Sequence, residues 1–264
     1  MKGLFTLRGE LTRAQEIVLA VLGTALLIAG WSAVSSVIGR PQLLPYPSAV
    51  LASFAELHFE DALVRNTFAS IKLNVFGYLE AVAIALPLGF LIGLVPLFRG
   101  LFHRHVVALR YLPLTAVVGL FILWFGIYVT MKVQFLTLGI LVYLLPVVVD
   151  RIDQVRQVYL DTVKTLGASA FQTIRFVYLP DVLSRVYGDI VTLVAISWTY
   201  IIMAEIINLG QGGIGALVYQ SARQSRPDKV FAILVVIIAI GFVQDKALKG
   251  IGRLLFPYEY GRQG

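Results

Sequence analysis

The sequence contains no cysteine and few charged residues, and each shortage excludes a class of protein. Without cysteine there can be no disulfide, thiolate metal site or cysteine nucleophile. The three histidines offer little to a histidine-ligated metal. Only 14% of the residues are charged, whereas soluble domains carry about a quarter. With a mean hydropathy of +0.84, this chain cannot cover a water-exposed fold and needs lipid as its solvent.

The net charge of +7 does not indicate nucleic-acid binding, because the basic residues occur singly or in pairs between apolar runs. A hydrocarbon core about 30 Å thick needs about 20 helical residues, and six apolar stretches fit that length with their flanks. The predicted spans lie near residues 17–38, 73–98, 111–131, 133–149, 190–209 and 230–249. The fold prediction is therefore an all-α, polytopic transmembrane bundle of about six spans.

Lysine and arginine counts predict the orientation of this bundle. With the amino terminus inside, fifteen of these residues fall in inner segments and seven in outer ones. This excess predicts that both termini are cytoplasmic, in segments 1–16 and 253–264. The first apolar run is too long for a secretory signal, so we expect it to remain as a span.

Two connections between the predicted spans are long enough to form helices. On the outside, the prolines of segment 41–47 precede an apolar-periodic stretch with Ser48 as a possible N-cap, which predicts a short surface helix. On the inside, segment 150–185 is the longest polar stretch. It predicts two short helices joined at Gly167, with Pro180 stopping or kinking the second.

The inner connection also carries a motif. From Asp161 to Pro180 it reads DTVKTLGASAFQTIRFVYLP. This segment resembles the EAA loop of binding-protein-dependent ABC importer permeases, written E-A-A-x3-G-x9-I-x-L-P. The motif positions are occupied by Asp161, Thr162, Val163, Gly167, Val177, Leu179 and Pro180. The spacing fits throughout, although Asp161 replaces glutamate, the next two residues replace the alanines, and Val177 replaces isoleucine.

The resemblance implies that this loop couples the membrane subunit to an ATPase. An ATPase that changes shape can move a membrane subunit only through a rigid protruding element, and a short amphipathic helix is such an element. The residues expected to couple are Asp161, Thr162, Val163, Leu166, Gly167, Val177, Leu179 and Pro180. The alternative is an interfacial helix that lies on anionic lipid.

Other segments resemble the nitrate, sulfonate, taurine and bicarbonate branch of this family. They are Leu44-Pro45-Tyr46-Pro47, Leu112-Pro113, Leu123-Trp124-Phe125-Gly126, and Glu205 with Gly212-Gly213-Ile214-Gly215. The resemblance implies a MetI-like type I fold in a bacterial inner membrane and a small anion of this kind as solute. It also implies a second permease copy, two cytoplasmic ATPase subunits that hold ATP and Mg, and an extracytoplasmic solute-binding protein.

Several residues near the predicted outer boundary are candidates for the pathway. The pathway or gate candidates are Trp124, Phe125, Trp198 and Glu205. The alternative is anchoring at the membrane interface for the aromatic residues and an interhelical polar contact for Glu205. A lone carboxylate in an apolar run costs about 3 kcal/mol or more, so Glu80 and Glu205 should face the interior, pair, or be protonated.

Residues 210–215 match the dinucleotide fingerprint G-x-G-x-x-G, but that fingerprint needs a preceding strand, and here a predicted membrane helix precedes it. We interpret Gly212, Gly213 and Gly215 as tight turns at the outer mouth, where a binding protein docks. No Walker A sequence occurs. We therefore expect the chain not to be an enzyme and to bind no cofactor or metal itself.

Two other hypotheses remain open at this point. The first is a proton-coupled secondary transporter in which Glu80 and Glu205 relay protons, although the sequence shows no obvious inverted repeat. The second is an intramembrane enzyme, which needs paired catalytic groups at one depth. The sequence alone does not place Glu80 and Glu205 together.

Overall fold

The computed structural model describes residue 9 and residues 11–260 of the 264-residue chain, with side chains described through residue 258. Within that part it contains helices and no strand, which confirms the predicted all-α class. Three basic residues used for the orientation lie outside the described residues, namely Lys2, Arg8 and Arg262. So do positions 1–8, 10 and 261–264 of the two predicted cytoplasmic segments.

The chain forms twelve helices within its described part. They are α1 (Arg13–Ile38), α2 (Pro47–Phe59), α3 (Leu63–Leu94), α4 (Pro96–Leu109), α5 (Leu114–Phe125), α6 (Val129–Asp153), α7 (Gln157–Thr165), α8 (Ala170–Thr173), α9 (Leu179–Ile207), α10 (Ile214–Arg223), α11 (Pro227–Leu255) and α12 (Pro257–Tyr260). A π-helical segment, Ile174–Tyr178, joins α8 to α9, and a 3₁₀ turn, Leu209–Gln211, precedes α10. The chain divides into two compact units, Met1–Ala62 with Gln220–Leu234 and Leu63–Tyr219 with Val235–Gly264.

Five stretches in the described chain are helical, long enough and apolar enough to cross a membrane. They are α1, α3, α6, the continuous segment Ala170–Ile207, and α11. A sixth span results if α4 and α5, which meet at an angle of 106°, are counted together. By length and composition the bundle therefore has five or six spans, in agreement with the predicted number of about six.

Two predicted spans, 73–98 and 111–131, are not single continuous helices. The stretch 111–131 is not one helix, because α5 ends at Phe125 and Gly126 adopts a φ of +69°. The stretch 73–98 is also interrupted, since α3 ends at Leu94 and Pro96 begins α4. Proline disfavours the helical conformation in the residue before it, and Val95 is accordingly extended. Apolar composition continues through both breaks, so composition could not reveal them.

The predicted inner connection 150–185 is also bounded differently. Its first residues belong to α6, which continues to Asp153, and its last belong to the long helical segment Ala170–Ile207. Pro180 does not stop this segment. Since proline has no N–H to donate, the backbone is accommodated by the π-helical turn just before it, where the Leu179 N–H reaches the Ile174 carbonyl.

Small residues bring α3 and α6 into close contact in the larger unit. A Cβ atom built on Gly77 would lie 2.8 Å from a Leu136 side-chain carbon, and one on Gly89 would lie 2.5 Å from Val148. Lipid tails are as apolar as the helices, so the hydrophobic effect does not drive membrane helices together. Close approach of their backbones instead stabilises the pair through van der Waals packing. The glycines of α3 therefore place this helix directly against α6.

In the smaller unit, ion pairs join α2 to the start of α11. The buried ammonium of Lys229 lies 2.6 Å from an Asp61 oxygen and 3.3 Å from a Glu56 oxygen. Arg226 pairs with Glu56 at 2.9 Å and with Asp228 at 2.8 Å. The hydrogen bond to Asp228 raises the pKa of the Arg226 guanidinium.

The short helix α2 was predicted, but its N-cap is Tyr46 rather than Ser48, because Pro47 already occupies the first helical turn.

Candidate functional site

The helices α7 and α8 are connected by four residues, 166–169, which end one helix and begin the next. Gly167 adopts a φ of +75°, its N–H donates to the Lys164 carbonyl, and the N–H of Ala168 donates to the Val163 carbonyl. These two bonds form a Schellman motif at the end of α7. Ser169 then caps α8 in a capping box with Gln172. The turn between the helices is therefore fully defined by local hydrogen bonds.

This helix pair presents large apolar side chains to its surroundings. Leu166 is 78% exposed, Phe171 72% and Phe176 66%. Several large apolar side chains exposed on an otherwise polar segment indicate a surface that another molecule covers. The π-helical turn and α9 follow α8 without a break, so this surface is continuous with a helix that is long and apolar enough to cross a membrane.

The eight residues expected to couple do not share one environment. Four lie on the exposed side of the turn, namely Asp161, Thr162, Leu166 and Gly167. Val163 and Pro180 are half-buried, Leu179 is 40% exposed, and Val177 is buried. The structure thus places the Gly end of the motif on the surface and the Val177 position against the protein interior.

A residue that sequence reasoning missed braces this element. The hydroxyl of Tyr258, in α12, donates a 2.9 Å hydrogen bond to the Pro180 carbonyl. Tyr258 and Pro180 also line a cavity of about 350 Å³ together with Val163 and Phe176. Nothing in the local sequence around Tyr258 indicates this contact, because the two residues are 78 positions apart.

Two bidentate ion pairs fix the end of α6 beside the helix pair. Arg151 donates to both oxygens of Asp189 at 2.7 Å, which links α6 to α9. Arg99 donates to both oxygens of Asp153 at 2.6 Å, which links α4 to α6. Bidentate arginine–carboxylate pairs give geometric specificity as well as energy. They therefore set the position from which α7 departs.

A second polar cluster surrounds Glu205, near the end of α9. The Glu205 side chain is fully buried. The Ser70 hydroxyl donates to Glu205 Oε1 at 2.6 Å, and the Gly215 N–H donates to Oε2 at 2.7 Å. The Ile214 N–H in turn donates to Ser70 Oγ at 2.8 Å. The first N–H groups of α10 are thus satisfied by side chains of α3 and α9, and a carboxylate there also complements the helix dipole.

The glycines before α10 are required by this packing. A Cβ atom on Gly213, which has a φ of +110°, would lie 2.2 Å from Glu205 Oε1. One on Gly215 would lie 2.5 Å from the Ile202 carbonyl oxygen. The glycine pattern that matches a nucleotide fingerprint therefore serves close backbone packing against Glu205.

Lys132 is the basic residue whose placement the sequence analysis missed. It was counted as an outer-boundary charge, but its side chain is buried near the start of α6. Its ammonium donates to the Gly212 carbonyl at 3.1 Å and interacts electrostatically with Glu205. Buried charges in a membrane protein are normally paired, so Lys132 and Glu205 form one cluster.

The aromatic pathway candidates lie on two different helices. Trp124 is 62% exposed and Phe125 is half-buried at the end of α5. Trp198 is buried in α9, and its ring N–H donates to Gln244 Oε1 at 2.7 Å. None of the three provides a hydrogen bond to Glu205 among the described residues, so a shared gate stays a prediction.

Glu80 lies in a different cluster from Glu205. Gln134 Nε2 donates to the two Glu80 oxygens at 2.8 and 3.0 Å, and the Thr137 hydroxyl donates to Oε2 at 3.2 Å. The two glutamates share no hydrogen-bond partner in the described chain. Within the described residues, these contacts form no hydrogen-bonded relay between the two glutamates and do not pair their carboxyl groups.

An all-helical bundle of membrane length, with an exposed and doubly capped helix pair between two spans, defines a polytopic membrane subunit. The chain belongs to the family of binding-protein-dependent transport system inner membrane components, whose model matches residues 85–253. It is an ABC importer permease of the MetI type, and this subunit family is not catalytic. The family implies ATPase and binding-protein partners and an inner-membrane location.

Two curated relatives are similar to nearly the whole chain. The taurine transport system permease protein TauC of Escherichia coli (strain K12) is 28% identical over 251 residues, which covers 93% of this chain and 91% of that protein. The putative aliphatic sulfonates transport permease protein SsuC of Bacillus subtilis (strain 168) is 25% identical over 244 residues, covering 91% and 87%. These relatives confirm the resemblance to the taurine and sulfonate permeases.

Solved structures of low sequence identity share the fold. A chain of the MetNI methionine ABC transporter in an inward-facing conformation superposes with a TM-score of 0.64 at 19% identity, covering 73% of this chain and 95% of that one. A chain of an amino acid ABC transporter gives a TM-score of 0.59 at 15% identity, covering 78% and 97%. These neighbours confirm the MetI-like fold.

Proposed function

We propose that this chain forms the translocation pathway for a small solute and is driven by a separate ATPase through segment 157–180. The observation that carries the proposal is the exposed apolar surface of α7–α8, which continues without a break into the spanning helix α9. A partner that binds Leu166 and Phe171 and then changes shape would move α9, because α8 continues into it. The ordered Gly167 turn makes the helix pair rigid enough to transmit that movement.

The assembly we propose has two permease copies, identical or pseudo-symmetric, around one pathway in membrane lipid. ATP and Mg bind to the two partner ATPases, because this chain has no Walker A sequence. The helix pair α7–α8 faces the cytoplasm with both termini, as the lysine and arginine distribution predicts. A solute-binding protein docks on the opposite side, near Gly212, Gly213 and Gly215.

The solute we propose is a small anion of the nitrate, sulfonate, taurine or bicarbonate kind. Support comes from the two relatives named for taurine and aliphatic sulfonates, to which this chain is similar over more than nine tenths of its length. The proton-coupled alternative has no comparable support, since Glu205 is fully buried and held by Ser70 and Gly215.

The test is recovery of an ATP-binding protein with the tagged chain from membranes. Changing Leu166 or Gly167 to Asp should reduce recovery at least tenfold, because a charge would be placed in the proposed contact and, at Gly167, a side chain in a left-handed conformation. Gly167→Asn should retain the partner better than Gly167→Asp, since asparagine tolerates that conformation and adds no charge to the proposed contact.

The matched control is Leu43→Asp, the same change at a leucine that is 66% exposed in the turn before α2. Recovery of the ATPase with this variant and with the native chain, together with its loss in the two variants of the Gly167 turn, supports the coupling role. Absence of any ATPase with the native chain, or full recovery with Leu166→Asp, contradicts it.

A further inference from the structure

The carboxyl group of Glu80 lies near the middle of the spanning helix α3, and it has no ion-pair partner among the described residues. Both of its oxygens accept hydrogen bonds from Gln134 and Thr137, which are neutral donors. None of the ion pairs formed by the described residues includes Glu80. A carboxylate at this depth is strongly disfavoured against lipid. For Glu80 to be ionised, the side of α3 that carries it must therefore meet water, a ligand or protein.

Glu80 opens onto a groove between α3 and α6 that encloses about 560 Å³. The groove has apolar walls, and its polar groups are Glu80, Thr130 and Gln134. Because Gln134 turns its amide nitrogen toward Glu80, its carbonyl oxygen is the group left to accept a hydrogen bond from a ligand. The groove thus offers a carboxylate, an amide oxygen and a hydroxyl, all of which can accept.

Such a set of groups fits a cation that donates several hydrogen bonds. An ammonium has three donors and a positive charge, whereas a sulfonate or nitrate would be repelled by the carboxylate. The wall of the groove also includes the ring of Phe76, and the ammonium of Lys72 already lies 5.9 Å from that ring's centre. An aromatic face beside a carboxylate is favourable for a cationic group.

We propose that the Glu80 groove is a binding site on the translocation pathway for the ammonium group of an amine-bearing solute. The inference rests on the proposed function, because it places the groove on the pathway of a permease. It also narrows the solute class. Of nitrate, bicarbonate, simple sulfonates and taurine, only taurine carries an ammonium beside its anionic group.

The test uses a single cysteine in the purified full chain in lipid nanodiscs. Because the native chain has no cysteine, Thr130→Cys introduces one thiol, and it lies in the groove wall. The probes are two methanethiosulfonate reagents that differ only in their end group, 2-aminoethyl and 2-sulfonatoethyl. Their labelling rates are compared in Thr130→Cys alone and combined with Glu80→Gln or Glu80→Asp.

The quantity compared is the labelling rate of the ammonium reagent divided by that of the sulfonate reagent. We expect this ratio to be at least about tenfold higher with Glu80 or Glu80→Asp than with Glu80→Gln. Equal ratios in the three backgrounds would overturn the proposal. Labelling by neither reagent would also overturn it, since the groove would then face lipid or be sealed by a second copy. None of these outcomes depends on ATPase recovery, so failure of the proposed coupling role is recognised separately.

Discussion

Replacing Gly213 by alanine should destabilise the protein strongly, and the structure indicates why. The new Cβ atom would lie 2.2 Å from a carboxylate oxygen of Glu205, which is fully buried and cannot swing away. A non-glycine residue at a φ of +110° also costs about 1–3 kcal/mol. Displacing the carboxylate weakens its bonds to Ser70 and Gly215, and a hydrogen bond to a charged group contributes about 1.5–3 kcal/mol. The expected loss is therefore about 4 kcal/mol or more.

The measurement is thermal unfolding of the detergent-solubilised chain, followed by intrinsic tryptophan fluorescence. A loss of this size corresponds to a melting temperature lower by roughly 10 °C for a chain of this length. The matched control is Gly210→Ala in the same segment, where an added Cβ atom meets nothing within 4 Å and φ is not positive. If the two variants melt at the same temperature, the assignment of the glycine segment to close packing against Glu205 is wrong.

Two further predictions concern residues that only the structure revealed. Lys132→Met should destabilise the chain by about 3 kcal/mol, because it leaves the buried Glu205 without its counter-charge. In the same melting assay, the double variant Lys132→Met with Glu205→Gln should recover part of that loss. Tyr258→Phe should accelerate amide hydrogen exchange about fivefold in the helical turns on either side of Pro180, since one hydrogen bond contributes about 1 kcal/mol. Tyr111→Phe, at a tyrosine that is 80% exposed, should not change it. Additive stability losses in the Lys132 and Glu205 double variant would contradict the interaction between these two residues. Unchanged hydrogen exchange in Tyr258→Phe would contradict the hydrogen bond of Tyr258.

Part of the candidate site could be predicted because its information is local. The Gly167 turn depends on a left-handed glycine followed by a serine that caps the next helix, and all of these signals fall within six residues, from 167 to 172. Helix–Gly–helix geometry therefore followed from spacing alone. The bracing of the same element by Tyr258 did not, because that contact joins residues far apart in the chain.

The predicted spans illustrate the same limit. Apolar composition located the membrane helices, since lipid selects for it at every position of a span. It did not locate the break after Phe125 or the junction at Pro96, because the residues next to each break are apolar on both sides. Glycine and proline were visible at these points, but neither residue on its own distinguishes a break from a tolerated kink.

The amino-acid sequence by itself determined the class of this protein, its membrane environment and its family, because hydropathy, basic-residue distribution and motif spacing are properties of short segments. Only the tertiary structure decided what each intramembrane charge does. Glu205 and Ser70 are 135 residues apart, and their hydrogen bond exists because α3 and α9 pack side by side. The position of α6 beside these helices buries Lys132 near Glu205 and leaves Glu80 open to a groove between α3 and α6. The two glutamates look alike in the sequence, and the positions of the neighbouring helices give them different surroundings.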